Sequence, residues 1–172
     1  MKRLLTSLLI VVLLSLAFSS TVAAQGHIQA TLITTRDGTQ EDAAGFVRVW
    51  NDAENIYVRY WMRAGHCLLE SHLHLATDLD DIPQGPGGAI PGQFEYQTKH
   101  DPCVTNFVYT IPLTDIGDEG VGARDTVFIA AQAVVRLPDG TVETAWGVNC
   151  GNLDAQQFPG ANWSAYIKYH VK

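Results

Sequence analysis

Acidic side chains that could bind a cation are concentrated between residues 78 and 101 of this sequence. Asp78, Asp80 and Asp81 place three carboxylates within four residues, where they repel one another at neutral pH unless water or a cation separates them. Carboxylate and backbone carbonyl oxygens are the hard ligands that Ca²⁺ prefers. Glu95 and Asp101 are the natural additional ligands. The pattern predicts a calcium site, and an acidic, solvated turn is the alternative interpretation.

A histidine pair, His72 and His74, precedes this acidic cluster, with Glu70 two residues before it. Two imidazoles at this spacing can share one zinc, copper or iron ion, and His100 or His66 could complete the ligand set. Any alternating strand with two histidines gives the same pattern, so half-buried histidines bonded to their neighbours are the favoured interpretation. Support of the calcium loop and a metal-dependent, cupin-like enzyme are the alternatives.

Both groups must be positioned by residues 68–81, in which apolar and polar residues alternate as in a strand. One face carries Leu69, Ser71, Leu73 and Leu75, and the other carries Glu70, His72, His74, Ala76 and Asp78. An irregular segment rich in proline and glycine follows at residues 80–92, and loops this long in compact domains are usually functional or disordered. Closing this loop would bring Glu95 back toward Asp80 and Asp81.

The rest of the chain alternates in the same way and shows no sustained helical periodicity, repeat or linker. Further strands are predicted at residues 27–35, 45–51, 56–63, 93–99, 103–113, 126–137, 141–146 and 163–171. Asp101 falls between two of them, in an expected turn. Short turns between antiparallel strands predict a single all-β domain, an antiparallel β-sandwich of about eight or nine strands with Ig-like or jelly-roll topology.

Composition limits the possible partners. The chain has 172 residues and a formal net charge of −7, which fits one compact domain, argues against a nucleic-acid partner and is compatible with cation binding. The four tryptophans could line a sugar-binding platform, but their positions within alternating strands favour core packing. They are Trp50, Trp61, Trp146 and Trp163.

Residues 1–24 have the pattern of a signal peptide. Lys2 and Arg3 precede an apolar run at residues 4–18, and small residues at 22–24 suit a signal peptidase. The mature protein is therefore expected to comprise residues 25–172, to be secreted to the cell surface or beyond, and to lack a membrane span. An uncleaved membrane anchor is the alternative interpretation.

Export would place the three cysteines in an oxidising compartment. Cys67 and Cys103 each begin an apparent core strand and are the preferred disulfide pair. Cys150 would then be free or bonded to another chain, and a zinc site formed by all three thiolates is a weaker alternative because no C-x-x-C pair is present.

Six motifs carry a resemblance to a known group of proteins. They are HLHLA at 72–76, LDDIPQ at 79–84, PGQFEY at 91–96, HDPCVT at 100–105, YTIPL at 109–113 and ETAWG at 143–147. Over residues 45–170 the chain resembles a widespread set of secreted prokaryotic β-domains. Some such proteins are thought to assemble into calcium-binding extracellular tubes or filaments. The related pattern usually continues Trp-Gly-Glu-Gly, whereas this chain has valine and asparagine after Trp146-Gly147.

The resemblance implies that Asp80, Asp81 and Glu95 act as calcium ligands and that the histidine strand supports them. We therefore expect a non-enzymatic, calcium-binding structural subunit that self-assembles into a homo-oligomer or polymer. Residues 25–42 could pair with the sheet edge of a neighbouring subunit, although an edge strand within the same chain is the default. A cupin-like enzyme using His72 and His74 and a calcium-ordered carbohydrate-binding module are the alternative functions.

Overall fold

The computed structural model describes residues 26–34, 43–149 and 157–172. The expected signal peptide and Cys150 lie outside these residues. The strands are β1 (Ile28–Thr34), β2 (Ala43–Asn51), β3 (Asn55–Met62), β4 (Cys67–Ala76), β5 (Gln84–Gly85), β6 (Gly88–Ala89), β7 (Tyr96–Val104), β8 (Asn106–Pro112), β9 (Thr126–Arg136), β10 (Val142–Asn149) and β11 (Ile167–His170). Single 3₁₀ turns occur at Leu79–Asp81, Pro91–Gln93 and Leu113–Asp115.

Nine strands form one antiparallel sheet in the order β7-β4-β9-β10-β1-β2-β3-β8, and β11 pairs with the first half of β9. The predicted all-β, antiparallel fold is therefore confirmed. Strands β2 and β3 form one hairpin and β9 and β10 form another, which turns at Gly140, whose φ of 88° favours glycine. Among the described residues, no helix is long and apolar enough to cross a membrane.

The sheet folds over on itself, so that opposite walls pack together as in a sandwich. The hydroxyl of Tyr60 in β3 donates to the carbonyl of His72 in β4 at 3.0 Å, although these strands are far apart in the sheet order. The edge strands also meet, because the Tyr109 hydroxyl of β8 donates to Thr98 Oγ1 of β7 at 3.0 Å. The inner core is filled by alternate residues of the strands, including Val47, Val58, Leu73, Ile129 and Ile167.

A second apolar cluster lies on the outer surface of β1, β4, β9 and β10. Ile82 and Phe94 attach the segment between β4 and β7 to this surface, and Phe158 and Tyr166 attach the chain before β11. Because β9 is covered on both faces, residues 129–133 are buried at successive positions, and all of them are apolar except Gln132. We call residues 77–95 the β4–β7 loop; this outer core holds it in place.

The β4 strand differs from its predicted face pattern. A bulge between Leu68 and Glu70 shifts the register against both neighbours, so Leu68 is buried and Leu69 is only partly buried. The expectation that Leu69 shares the packing face with Ser71 and Leu73 is therefore wrong. The strand also ends at Ala76, so Asp78 is not on its ligand-bearing face.

Three further expectations about local structure need correction. Asp101 lies within strand β7 instead of a turn, because β7 continues through a cis Asp101–Pro102 peptide. Strand β1 is not at an edge but pairs with both β10 and β2 in the middle of the sheet. The segment at residues 80–92, which was expected to be irregular, contains the two-residue antiparallel strands β5 and β6.

The Cys67–Cys103 disulfide is formed as predicted. It joins the first residue of β4 to β7, with the two Cα atoms 5.7 Å apart. Because β4 and β7 are neighbours in the sheet, the bridge fixes the strand that carries both histidines to the edge strand that follows the β4–β7 loop.

Replacement of Phe94 tests the contribution of the outer core. Phe94 is 2% exposed and contacts the His74 and Trp146 rings, so Phe94→Ala should lower the free energy of unfolding by about 3 kcal/mol or more in urea denaturation. Val142→Ala is the matched control, because Val142 is 55% exposed, and its effect should stay within about 0.5 kcal/mol. Equal effects of the two variants would contradict an anchoring role for Phe94.

Candidate functional site

An acidic cleft of about 560 Å³ opens where β4 ends. Asp81 and Glu95 come from the two ends of the β4–β7 loop, and Asp115, Asp118 and Glu119 come from the loop that follows β8. We call these five side chains the cleft carboxylates. The loop after β8 approaches β4 closely because Gly117 has a φ of 69°, and a Cβ at this position would lie 3.0 Å from Thr77 Oγ1.

The negative charge of the cleft is not balanced by neighbouring cations. No lysine or arginine lines the cleft, and within the described ranges none of the cleft carboxylates forms an ion pair. Tyr96 reports this field, because burial, together with the charges of Glu95 and Asp115, raises the pKa of its phenol to about 12. The arrangement favours a bound cation over a bound anion.

His74 binds one end of the β4–β7 loop. Its Nδ1 accepts a hydrogen bond from the backbone N–H of Glu95 at 3.3 Å, and Asp81 lines the same cleft near the other end of the loop. Burial lowers the pKa of His74, and the nearby charges of Glu95 and Asp81 offset this only in part. A neutral imidazole is the form this position requires, because a protonated Nδ1 could not accept from Glu95.

His72 holds the same loop from the neighbouring outward position of β4. Its Nδ1 lies 3.2 Å from the carbonyl oxygen of Pro91, and its Nε2 lies 3.3 Å from Glu70 Oε2. Both partners are acceptors, so the imidazolium form donates to both. Burial opposes ionisation of Glu70, but its bonds to Lys99 and His72 outweigh this effect and lower the pKa of Glu70. The two histidines are therefore hydrogen-bonded to their neighbours, and their nitrogens point to different protein partners.

The predicted ligands are only partly brought together. Asp81, Glu95 and His74 line the acidic cleft, whereas Asp78, Asp80, Asp101 and Glu70 do not. Asp78 caps the 3₁₀ turn by accepting from the N–H of Asp80 at 3.1 Å, and Asp101 is exposed on β7. Within the part of the chain that the structure describes, no group of three or more His, Cys, Asp or Glu side chains is close enough to hold a metal ion.

Three cleft carboxylates were missed by the sequence reasoning, namely Asp115, Asp118 and Glu119. The signal was present, because these acidic residues surround Gly117 and Gly120 in a short turn-rich stretch. What the sequence could not show is that β8 returns beside the end of β4, since strand pairing far along the chain decides this. Loops distant in sequence meet here only because the sheet closes on itself.

A buried serine and histidine also lie close together, although not in the cleft. Ser71 Oγ is 3.1 Å from His100 Nε2 and 2.9 Å from the Tyr109 hydroxyl, so the network joins β4, β7 and β8. Burial lowers the pKa of His100, which favours its neutral form. Because Ser71 is 0% exposed, its hydroxyl has no route to a substrate, and the network serves to join the meeting edges of the sheet.

No protein-family model, curated protein or solved structure matches this chain. The motif resemblance to secreted β-domains therefore stays a prediction, and the functional proposal rests on the geometry of the acidic cleft.

The hydrogen bond that neutral His74 accepts from Glu95 predicts that stability depends on pH in calcium-free buffer. The folded pKa of His74 lies below its ordinary value of 6.5, so at pH values just below 6.5 the unfolded chain binds more protons than the folded one. The free energy of unfolding should be highest above pH 6.5 and should decrease as the pH falls below 6.5. His100, whose pKa is also lowered, contributes in the same direction.

The variant His74→Asn should reduce this pH dependence and cost about 1 to 2 kcal/mol at pH 7.5, because the backbone N–H of Glu95 loses its partner. Urea denaturation from pH 5 to 7.5 measures both effects. His170→Asn is the control, since His170 is exposed on β11. An unchanged dependence of stability on pH in His74→Asn would contradict the stabilising role of neutral His74.

Proposed function

We propose that this protein is an exported, calcium-binding structural protein whose copies assemble into a cell-surface or extracellular filament or tubule. The single observation that carries the proposal is the acidic cleft, which is lined by five carboxylates from two loops and by no lysine or arginine. A bound cation would remove the mutual repulsion among these groups, and a hard divalent ion matches their oxygen atoms.

The oxygen atoms of the cleft carboxylates suit calcium better than a transition metal. The cleft carboxylates offer only oxygen atoms, whereas the Nδ1 atoms of His72 and His74 are each engaged in a bond to the β4–β7 loop. Calcium tolerates irregular coordination and accepts backbone carbonyls and water along with carboxylates. The proposed ligands are therefore Asp81 and Glu95 from the sequence prediction, joined by Asp115, Asp118 and Glu119.

Calcium in this position would join two loops that the strands leave separate. The β4–β7 loop is fixed by His74 and the outer core, while the loop after β8 approaches it through Gly117. The carboxylates are not pre-assembled into a ligand group, so the loop after β8 would close toward Asp81 and Glu95 when the ion binds. The bound ion would thus offset the repulsion among the cleft carboxylates and connect the two loops.

Export is supported by the signal-peptide pattern of residues 1–24 and by the Cys67–Cys103 disulfide, which is typical of oxidising compartments. Assembly is supported by the resemblance to secreted β-domains and by the open position of the cleft, where a neighbouring copy could complete the coordination of the ion. Donation of β1 to a neighbour is the less favourable route, because β1 already pairs on both sides within its own chain.

Calcium titration of the mature protein tests the proposed site. Isothermal calorimetry should detect calcium uptake, and Glu95→Gln or Asp115→Asn should each weaken it at least about tenfold through loss of a charged ligand. Asp101→Asn is the matched control, because Asp101 is exposed on β7 and outside the cleft. Loss of binding in Asp101→Asn alone would overturn the cleft assignment, and no uptake by the wild type would overturn calcium binding.

The phenol of Tyr96 provides a site-specific reading of the same event. Calcium would cancel the charges of Glu95 and Asp115, which contribute to a Tyr96 pKa of about 12, so the pKa should fall in calcium buffer. The difference between ultraviolet titrations of the wild type and Tyr96→Phe isolates this group. A Tyr96 pKa that does not move at saturating calcium would place the ion elsewhere.

Assembly has its own test. Negative-stain microscopy of the mature protein should show ordered polymers in calcium buffer that disperse on addition of a chelator, and Glu95→Gln should prevent their formation. Particles that stay monomeric at all calcium concentrations, while calorimetry shows uptake, would contradict the filament role and leave calcium binding intact.

A further inference from the structure

The outer surface of β2, β3 and β8 carries a second set of chemically distinctive side chains. We call it the arginine–aromatic face, formed by Phe46, Arg48, Trp50, Tyr57, Arg59, Trp61, Asn106 and Val108. Trp61 is 52% exposed and Val108 is 37% exposed, so this surface is open in the part of the chain that the structure describes. The expectation that Trp61 packs in the core is therefore wrong, whereas Trp146 is buried.

Strand register places two aromatic pairs on either side of an arginine pair. Arg48 lies directly opposite Arg59, with Trp50 opposite Tyr57 on one side. Phe46 lies opposite Trp61 on the other side. The Trp50 and Tyr57 rings stack with centroids 5.1 Å apart and planes 10° apart, and the guanidinium of Arg59 lies 5.4 Å from the centre of the Trp61 ring.

The arginine pair is electrostatically unfavourable as it stands. Like charges directly opposite on neighbouring strands destabilise a sheet. Within the described ranges neither Arg48 nor Arg59 forms an ion pair, although Arg59 Nε donates to Asn106 Oδ1 at 2.5 Å. An anion bound between the two guanidinium groups would remove this repulsion. The chain as a whole is acidic, so two arginines held together without a carboxylate form a local exception.

The face is also concave where the arginines lie. His27, Arg48, Trp50 and Arg59 line a hollow of about 240 Å³. A guanidinium group binds a carboxylate through two parallel hydrogen bonds, and its planar fork selects for that geometry. Aromatic rings beside the hollow offer flat apolar surfaces, on which the C–H groups of a sugar ring can stack. The hollow therefore combines guanidinium groups that can bind a carboxylate with aromatic rings that can stack on a sugar ring.

We propose that the arginine–aromatic face binds a polysaccharide that contains uronic acids. The carboxylates of the sugar units pair with Arg48 and Arg59, and their rings stack on Trp50 and Trp61. The two aromatic pairs lie four residues apart along each strand, which corresponds to about 13 Å, so a short oligosaccharide is needed to reach both. The charge complementarity of the face with a polyanion favours this partner over a neutral glycan. This site is separate from the acidic cleft and does not depend on calcium.

Binding of polygalacturonate oligosaccharides to the mature protein tests the proposal. Titration is done in chelator, so that calcium cannot bridge the acidic cleft to the polymer. The wild type should bind, and added salt should weaken binding because charges are paired. Arg48→Gln and Arg59→Gln should each lower the affinity about tenfold or more and reduce its salt dependence. Trp61→Ala should lower the affinity similarly but keep the salt dependence.

Two controls separate this site from general attraction. Lys168→Gln removes another cation that lies over an aromatic ring, 5.3 Å from the centre of Phe128, and should leave binding unchanged. Fully methyl-esterified polygalacturonate has the same sugar backbone without charge and should not bind measurably. The four substituted residues, Arg48, Arg59, Trp61 and Lys168, lie at the surface, so each variant should melt like the wild type. A matching melting curve shows that the variant is folded.

Four outcomes would overturn the proposal. They are no binding of polygalacturonate, equal binding of the esterified polymer, equal effects of Lys168→Gln and Arg48→Gln, and tighter binding of single-stranded DNA or of an acidic peptide of matched charge. Because the titration is done without calcium, its failure leaves the calcium proposal untouched, and failure of calcium uptake leaves this proposal standing.

Discussion

The imidazole of His74 is the interaction on which the geometry of the candidate site depends. It accepts a hydrogen bond from the backbone of Glu95 at one end of a loop of nineteen residues, counted from Thr77 to Glu95, and shares the cleft with Asp81 near the other end. A neutral ring is required at Nδ1, although two carboxylates nearby favour the charged form. Burial outweighs those charges and keeps the pKa low. The cleft is therefore positioned by an uncharged group, and its own negative charge stays available for a ligand.

The outer core makes this arrangement possible. The prolines and glycines of the loop offer little apolar surface with which to pack on the sheet. Ile82 and Phe94 supply that surface, and Trp146 lies beneath Phe94 in an edge-to-face contact. In return, the loop covers strands whose outward residues are apolar, such as Ala130 and Val148. Packing energy thus offsets the conformational entropy that is lost when the loop becomes ordered.

The sequence predicted the features that depend on local periodicity and turn chemistry. Most strand positions followed from alternation. The Cys67–Cys103 pair was predicted correctly, although Cys103 lies near the end of edge strand β7 and does not begin a core strand. The favoured interpretation of His72 and His74 as hydrogen-bonded histidines was confirmed, since each binds loop groups. Features that depend on pairing between distant strands could not be predicted. The bulge at Leu69 arises from the register of β4 with its neighbours, and the contact of the loop after β8 with the end of β4 arises from closure of the sheet.

Two oppositely charged surfaces result from this one sheet, the acidic cleft at the end of β4 and the arginine–aromatic face on β2, β3 and β8. The central claim is that a divalent cation draws the loop after β8 onto the β4–β7 loop. Amide hydrogen exchange with and without calcium measures this most directly. We expect slower exchange with calcium at residues 77–95 and 113–121 together, and unchanged exchange in β2 and β3. Equal exchange in both conditions, or protection confined to other segments, would contradict the account.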